Sequence, residues 1–312
     1  MDKTIAVIGA GLIGRAWAMV FARAGWRVRL TDSDADQLAR ARAYVAASLD
    51  EQQQYGLVAD SGGALARIEL AAGIESAIAD ADWVQENLPE KVELKRDVFE
   101  LLDRHARPDA VLASSTSAIP ASRFTEGLAG RARCLVAHPV NPPHLVPIVE
   151  LCGAPWTAPA TIARAKQIFV SVGQAPIVVR RELDGFVLNR LQGALLSEAM
   201  RLVGEGYVSA DDLDMTVRDG LGLRWSFLGP MATIELNAPG GVADYCARYG
   251  DFFRRLAAEP AGPQVWEADN AARVANALGA PRSDEAREAR TRWRDRRLMA
   301  LVGHKREQPD FD

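Results

Sequence analysis

Residues 5–14 of the chain, IAVIGAGLIG, decide its fold. Residues 5–8 form a short, β-branched apolar run that ends at a glycine, which predicts a buried parallel strand. Residues 15–24 are predicted to form a helix, and Arg27–Thr31 a second strand. The stretch therefore predicts a strand-helix-strand unit in which a glycine-rich loop joins the first strand to the helix.

The glycine spacing in this loop is typical of dinucleotide binding. Its glycines supply a tight turn, a close approach of backbone to the diphosphate and close packing of helix on strand, with the diphosphate at the helix N-terminus. The predicted cofactor-binding residues of the loop are Gly9, Gly11, Leu12, Ile13 and Gly14. Asp32 ends the second strand and can accept hydrogen bonds from both ribose hydroxyls, while it would repel a 2′-phosphate, so the sequence favours NAD over NADP. The alternative is a plain glycine turn, with Asp32 capping the next helix.

Composition and charge narrow the class of partner. At 312 residues the chain suits two domains. The composition is 48% apolar and 25% charged, with a formal net charge of −4. Such a surface offers no general attraction to nucleic acid or to an anionic membrane, so a small-molecule substrate is expected.

The sequence also favours a cytoplasmic location. No signal peptide precedes the first strand, and no apolar run reaches the ~20 residues that span a bilayer. The three cysteines are odd in number and widely spaced, which argues against a disulfide framework or a zinc site. No metal is predicted.

The pattern of elements changes near residue 183. Before it, strands alternate with helices, which predicts a Rossmann-like, doubly wound and mostly parallel sheet. From Asp184 onward strands are hard to find, so we predict an NAD-binding domain over residues 1–183 and an all-α substrate and dimerisation domain over residues 184–312. The apolar helix over residues 186–203 is predicted to be buried, between layers or between subunits. The arginine-rich stretch 282–306 contains interspersed acids, which favours a solvated helical face over a nucleic-acid patch.

A histidine and a glutamate supply the candidate chemistry. His138 is followed twelve residues later by Glu150, in the run AHPVNPPHLVPIVELCG. A buried carboxylate would orient the imidazole and stabilise the imidazolium that forms when it takes a proton from a secondary alcohol. Taken alone, His138 could simply end a strand before a proline loop.

Several ordered motifs resemble the 3-hydroxyacyl-CoA dehydrogenase superfamily, in particular its lambda-crystallin branch, which includes L-gulonate 3-dehydrogenase. They are GAGLIG, ENLPEKVELK, SSTSAIP, AHPVNPP, LVPIVEL, DGFVLNRLQ and GLGLRWSFLGP. The resemblance runs from Ile5 to about Tyr249. It implies an N-terminal Rossmann-like domain, a helical domain that dimerises, and NAD-dependent oxidation of an L-3-hydroxy acid to the 3-keto acid.

The resemblance also implies roles for individual residues. His138 would be the general base, with Glu150 as its partner. Ser117 would bind the substrate oxygen and the cofactor, and Asn189 would lie near the same oxygen, both as donors to a developing negative charge. The remaining implied cofactor contacts are Glu90, Lys95 and Asn141. A plain turn at Ser117 and an ordinary helix surface pair of Glu90 with Lys95 are the alternatives.

Departures from the acyl-CoA enzymes favour a small free acid. A coenzyme A site needs cations near its phosphates, and residues 43–66 contain neither Lys nor Arg. Arg224 is the predicted carboxylate anchor, in its own or the neighbouring subunit's site, with a surface salt bridge as the alternative. His144 stands where the gulonate enzyme has tyrosine.

Three classes of function follow from these residues. The favoured one is an NAD-dependent dehydrogenase of a small polar L-3-hydroxy acid, with L-gulonate ahead of L-carnitine or a short 3-hydroxybutyrate-like acid. For L-carnitine, Trp156, Trp225 and Phe227 could cage a trimethylammonium group. An L-3-hydroxyacyl-CoA dehydrogenase is the second class, and a crystallin-like structural protein the third. The presence of His138, Glu150, Ser117 and Asn189 argues against the third.

Overall fold

The computed structural model describes residues 3–308. Its central feature is an eight-stranded sheet with the strand order β3-β2-β1-β4-β5-β6-β7-β8. Neighbouring strands are parallel except for the antiparallel pair β6 and β7. The strands are β1 (Thr4–Ile8), β2 (Arg27–Thr31), β3 (Ile68–Leu70), β4 (Trp83–Glu86), β5 (Val111–Ser114), β6 (Cys134–Pro139), β7 (Ile148–Gly153) and β8 (Ala175–Val179). The prediction of a doubly wound, mostly parallel sheet is confirmed.

Helices cover the sheet and make up most of the later chain. Those of the first part are α1 (Leu12–Arg23), α2 (Ala35–Gln54), α3 (Ser61–Ala66), α4 (Ile74–Ile78), α5 (Val92–His105), α6 (Ser122–Thr125) and α7 (Pro159–Ser171). They are followed by α8 (Leu188–Gly204), α9 (Ala210–Met215), α10 (Pro230–Leu236), α11 (Gly241–Ala257), α12 (Ala268–Leu278) and α13 (Asp284–Glu307). A single π-helical stretch, Thr216–Gly222, directly follows α9.

Alternating side chains of the sheet form two apolar layers. In β1, Ile5 and Val7 pack in the layer that contains α1 and α7, where Trp17 and Phe169 lie with ring centroids 5.3 Å apart. Ala6 and Ile8 pack in the opposite layer. All five residues of β1 are buried, as expected for a central parallel strand covered on both faces.

The chain divides into two compact units, and their limits differ from the predicted domains in two respects: the first boundary lies after Asn189 instead of residue 183, and the last helix joins the first unit. One unit contains the described residues up to Asn189 and those from Glu285 on; the other is Arg190–Asp284. Helix α13 therefore belongs to the unit that contains the sheet, although the sequence placed it with the helical region. The reason is local packing: Met299 is buried against Leu57 and Leu145, and Arg296 pairs with Glu51 at 2.5 Å.

The Arg190–Asp284 unit leaves many apolar side chains exposed. Leu191 of α8 is 64% exposed, and within the described chain Val203 is the one buried residue of that helix. Helix α11 contains no buried residue, and Tyr245, Tyr249 and Phe253 contact one another along one side of it. The chain alone thus does not bury the apolar faces of these helices. Within residues 3–308, no helix combines the length and apolar character needed to cross a bilayer.

Candidate active site

The glycine loop has the geometry that a dinucleotide diphosphate requires. Gly9 has φ +92°, which glycine adopts without strain. A Cβ at Gly14 would lie 1.8 Å from the carbonyl oxygen of Gly9, so only glycine allows α1 to pack this close to β1. A Cβ at Gly11 would have no neighbour within 4 Å, so this side of the loop is open to a ligand.

The N-terminus of α1 offers unpaired backbone donors beside this open space. No side chain caps the helix at Gly11, and no acidic residue lies in its first turn. The backbone N–H groups of a first helical turn have no partner within the helix and favour an anion. Leu12 is half-exposed at this end, whereas Ile13 packs partly into the core. These residues fit the diphosphate of NAD.

Asp32 ties the glycine loop to the end of β2. Its side chain accepts hydrogen bonds from the N–H of Ala10 at 2.7 Å and the N–H of Asp34 at 3.0 Å. Asp34, and not Asp32, caps α2. The alternative role of Asp32 as a helix cap is therefore wrong, and the remaining lone pairs of its carboxylate can accept ribose hydroxyls.

His138 and Glu150 face each other across the antiparallel strands β6 and β7. They are directly opposite in register, and His138 Nδ1 lies 2.7 Å from Glu150 Oε2. Both side chains are buried. Because a carboxylate only accepts, Nδ1 is the donor in this hydrogen bond, and in the neutral ring Nε2 has the lone pair that can take a proton.

The Glu150 carboxylate is kept ionised by hydrogen bonds. Burial raises its pKa, but hydrogen bonds from His138 and from the N–H groups of Leu188 and Val187 outweigh burial, so the pKa lies below its ordinary value. The two backbone N–H groups reach Oε1 at 3.0 and 2.9 Å and lie at the N-terminus of α8. A helix N-terminus favours a carboxylate.

The backbone conformation of Phe186 turns the chain so that the N–H groups of Val187 and Leu188 reach Glu150. Within residues 3–308 it is the one non-glycine residue with positive φ, at +47°. Its ring is buried against the His138 imidazole, with centroids 5.5 Å apart. A bulky residue in the left-handed region is strained, and such strain clusters at functional sites.

Ser117 lies exposed after β5, and two predicted site residues hold its backbone. Asn189 Nδ2 donates to the carbonyl oxygen of Ser117 at 2.8 Å, so the structure brings these two residues together. The N–H of Ser117 donates to Glu90 Oε1, and Thr116 Oγ1 donates to Glu90 Oε2 at 2.8 Å. Ser117 is thus fixed from both sides, while its own hydroxyl has no partner within the described residues.

Lys95 is buried instead of lying on the helix surface. Its Nζ lies 3.0 Å from both oxygens of Glu86, and its side chain is 1% exposed. It also lies 3.4 Å from Ser114 Oγ and from the carbonyl oxygen of Leu88. The alternative of an ordinary helix surface pair of Glu90 with Lys95 is therefore wrong: the close partner of Lys95 is Glu86, and Glu90 is 4.0 Å away.

The remaining predicted residues lie apart from this network. Asn141 is exposed two residues after β6, at the same edge of the sheet. Arg224 is exposed in the Arg190–Asp284 unit, and its side chain makes no ion pair with any described residue, which removes the surface salt bridge as an explanation for it. Trp156 is engaged elsewhere: it donates to Thr125 and stacks with Arg131.

Glu86 and the two backbone donors to Glu150 were missed by sequence reasoning. The sequence contains one signal for Glu86. Lys95 precedes Val98, Phe99 and Leu102 at helical spacing, so it lies on the buried face of α5 and requires a buried anion.

The fold and glycine loop define a dinucleotide-binding protein of the doubly wound class, and comparison with known proteins identifies the family. Residues 4–183 match the profile of the 3-hydroxyacyl-CoA dehydrogenase NAD binding domain, and residues 185–277 that of the C-terminal domain. The chain belongs to the 3-hydroxyacyl-CoA dehydrogenase family, and its cofactor is NAD.

Relatives within the family carry different names. The chain is 43% identical over 310 residues to the lambda-crystallin homolog of Bos taurus, covering 98% of this chain and 96% of that protein. It is 36% identical over 271 residues to the L-carnitine dehydrogenase of Streptomyces coelicolor, covering 85% of each. A solved structure of 5-formyl-3-hydroxy-2-methylpyridine 4-carboxylic acid 5-dehydrogenase, an NAD-dependent dismutase, has a TM-score of 0.86 at 30% identity and covers 99% of this chain and 100% of that one.

Proposed function

We propose that this protein oxidises a small, free L-3-hydroxy acid to the 3-keto acid with NAD, with L-gulonate as the leading substrate. The observation that carries the proposal is the buried His138–Glu150 pair, at 2.7 Å, on the same chain as the dinucleotide loop. Such a pair removes a proton from a secondary alcohol. NAD, when bound, accepts the hydride.

Each site residue then has a defined task. His138 Nε2 accepts the hydroxyl proton, and Glu150 stabilises the imidazolium that results. The hydroxyl of Ser117 and the amide of Asn189 stabilise negative charge on the substrate oxygen. Asp32 holds the adenosine ribose, and Asn141, in the loop after β6, contacts the cofactor.

Residues 43–66 contain neither Lys nor Arg, and Arg15, which α1 brings to them, stacks on Tyr44; this supports a free acid over a coenzyme A thioester. This stretch forms the later part of α2 and all of α3. Helix α13 does bring arginines to it, but Arg296 pairs with Glu51, and Arg306 donates to the carbonyl oxygen of Leu57 at 3.3 Å. These arginines are engaged by the chain itself. Arg224, which forms no ion pair with residues 3–308, is our proposed anchor for the substrate carboxylate.

L-carnitine is the second candidate, because a relative bears that activity in its name. Trp225 and Phe227 are exposed in the Arg190–Asp284 unit and supply aromatic faces for a trimethylammonium group. We also propose that the protein is a homodimer through the helical unit, since the apolar faces of α8 and α11 are exposed in the single chain.

The test is NADH formation at 340 nm with purified protein, NAD and one of four substrates: L-gulonate, L-carnitine, L-3-hydroxybutyrate or L-3-hydroxybutyryl-CoA. We expect turnover of L-gulonate and none of the thioester. Turnover confined to the thioester would refute the free-acid proposal, and turnover confined to L-carnitine would replace the leading substrate.

The general base is tested separately with His138→Ala. We expect kcat to fall by roughly 10²- to 10⁴-fold, the usual contribution of a positioned acid–base group, with the Kd for NAD unchanged by calorimetry. His105→Ala, at a half-exposed histidine, is the matched control. Unchanged turnover in His138→Ala would exclude it as the base.

A further inference from the structure

The side chain of Glu90 joins the loops after β4 and β5. It lies just before α5, and Thr116 and Ser117 lie two and three residues after the neighbouring parallel strand β5. Each of its carboxylate oxygens takes one of two hydrogen bonds, from the Ser117 N–H and the Thr116 hydroxyl. Thr116 Oγ1 in turn accepts from the N–H of Ile119 at 2.9 Å. Glu90 therefore fixes the turn that carries Ser117.

A buried ion pair holds the base of the same two loops. The Glu86 carboxylate accepts from the N–H of Leu88 at 2.6 Å and from Ser114 Oγ at 2.5 Å, in addition to Lys95. Ser114 Oγ accepts from the N–H of Thr116 at 3.1 Å. The loop after β4 and the loop after β5 are thus joined at two places. One is the ends of the strands, through Glu86 and Ser114, and the other is the turn at Ser117, through Glu90.

We propose that Glu90 is a positioning residue, which acts by holding the Thr116–Ser117 backbone so that the Ser117 hydroxyl faces the substrate oxygen. The proposal rests on the proposed function, because it takes Ser117 as the substrate-binding hydroxyl. It differs from the role that the family resemblance implies, in which Glu90 contacts the cofactor. Both carboxylate oxygens of Glu90 accept hydrogen bonds from the β5 loop, and this geometry supports positioning.

The two roles predict different behaviour for Glu90→Ala and Glu90→Gln. The alanine variant removes both acceptors. The glutamine variant keeps an oxygen for the Ser117 N–H and turns an amide nitrogen toward Thr116 Oγ1, which can accept. A positioning role therefore survives in Glu90→Gln, whereas a role that needs the negative charge does not. Glu93→Ala is the matched control: it removes an exposed acid from the first turn of α5 that accepts no hydrogen bond from the described residues.

Three measurements on the full-length protein decide between these roles. They are backbone hydrogen–deuterium exchange of the segment that contains Ser117, the Kd for NAD by calorimetry, and kcat with the free acid that the wild type oxidises. For Glu90→Ala we expect faster exchange at this segment, a Kd for NAD within about twofold of wild type, and a roughly 10- to 100-fold lower kcat, the scale of a misplaced catalytic group. Glu90→Gln and Glu93→Ala are expected to resemble the wild type in all three.

Two results would overturn the proposal. One is unchanged exchange in Glu90→Ala. The other is a Kd for NAD that weakens about tenfold or more in both Glu90 variants, which would make Glu90 a cofactor contact. Ser117→Ala separates this proposal from the proposed function. Wild-type turnover in Ser117→Ala would show that Ser117 takes no part in the reaction. Hydrogen–deuterium exchange in Glu90→Ala would still report whether Glu90 holds the Thr116–Ser117 turn.

Discussion

At the scale of single residues, His144 is a buried polar group whose ring bonds to nothing in the described part of the chain. Its ring is 3% exposed, and neither ring nitrogen has a hydrogen bond within the described residues. Burial, and then the charges of Arg23, Arg15 and Arg294, lower its pKa from 6.5 to about 3. The imidazole is therefore neutral in the folded protein across the physiological range.

The lowered pKa of His144 predicts that the folded protein loses stability in mild acid. Its folded pKa is depressed, so between pH 6.5 and about 3 the unfolded chain binds a proton that the folded protein does not. Stability should fall with pH in this window by about 1.4 kcal/mol per unit from this group alone. In His144→Met the fall should be smaller by about 2 kcal/mol at pH 5 relative to pH 8, as measured by urea unfolding. His105→Met, at a half-exposed histidine, is the control. Parallel stability profiles for wild type and His144→Met would contradict the prediction.

The sequence predicted that His138 and Glu150 pair, which the structure confirms, but not what holds the Glu150 carboxylate. His138 and Glu150 are identifiable from their residue types and from the family motifs. The donors from Val187 and Leu188 reach Glu150 from 37 and 38 positions away in the chain, through the strained turn at Phe186. Backbone donors carry no residue signature, so such long-range partners become visible only in the folded chain.

At the scale of elements, α5 and β4 are joined by the buried Lys95–Glu86 ion pair. Desolvation offsets much of the attraction between such charges, so the pair is weak grounds for high stability. Its effect is conditional, because each charge is tolerated in the core only while the other is present.

Removing one partner should therefore destabilise the protein more than removing both charges. We expect Lys95→Met to lower the free energy of unfolding by about 3–5 kcal/mol, because Glu86 is left buried and uncompensated. The double variant Lys95→Met, Glu86→Gln should recover more than half of that loss. Lys91→Met, at an exposed lysine beside α5, controls for the loss of a surface charge. Urea unfolding measures all three, and a double variant as unstable as Lys95→Met would show that the lone charge is not the cause.

The strands that contain a full apolar run were predicted from the sequence, whereas the short edge strand β3 was not. Strand β2 has the predicted limits, and β1 begins one residue earlier than expected, at Thr4. Strand β3 was missed because it has three residues, lies at the edge of the sheet and buries Ile68 alone, so it leaves neither an apolar run nor an alternating pattern.

At the scale of the whole molecule, the exposed apolar faces of the helical unit require a cover. The sequence left two roles open for the helix over residues 186–203, an intramolecular core or a subunit interface. The exposure of Leu191, Leu195 and Leu196 in the single chain favours the interface. A second copy of this chain is the proposed cover.

The proposed dimer predicts a native mass of twice the 33.8 kDa chain. Leu191→Glu would place a charge in the interface and should shift the protein toward monomer, as measured by size-exclusion chromatography with light scattering. The matched control is Val170→Glu, which changes a 58% exposed apolar residue of α7 in the other unit. A monomeric wild type, or equal loss of dimer in both variants, would rule out the proposed interface.

Because α13 belongs to the sheet-containing unit, it affects the order in which the parts of the protein fold during synthesis. That unit is assembled from chain on both sides of Arg190–Asp284, so its last pieces, Met299 and Arg296, leave the ribosome after the whole helical segment. Domains made of one continuous stretch can finish folding while translation continues. Here Leu57 and Leu145 of the nascent nucleotide-binding unit stay uncovered until α13 has been synthesised.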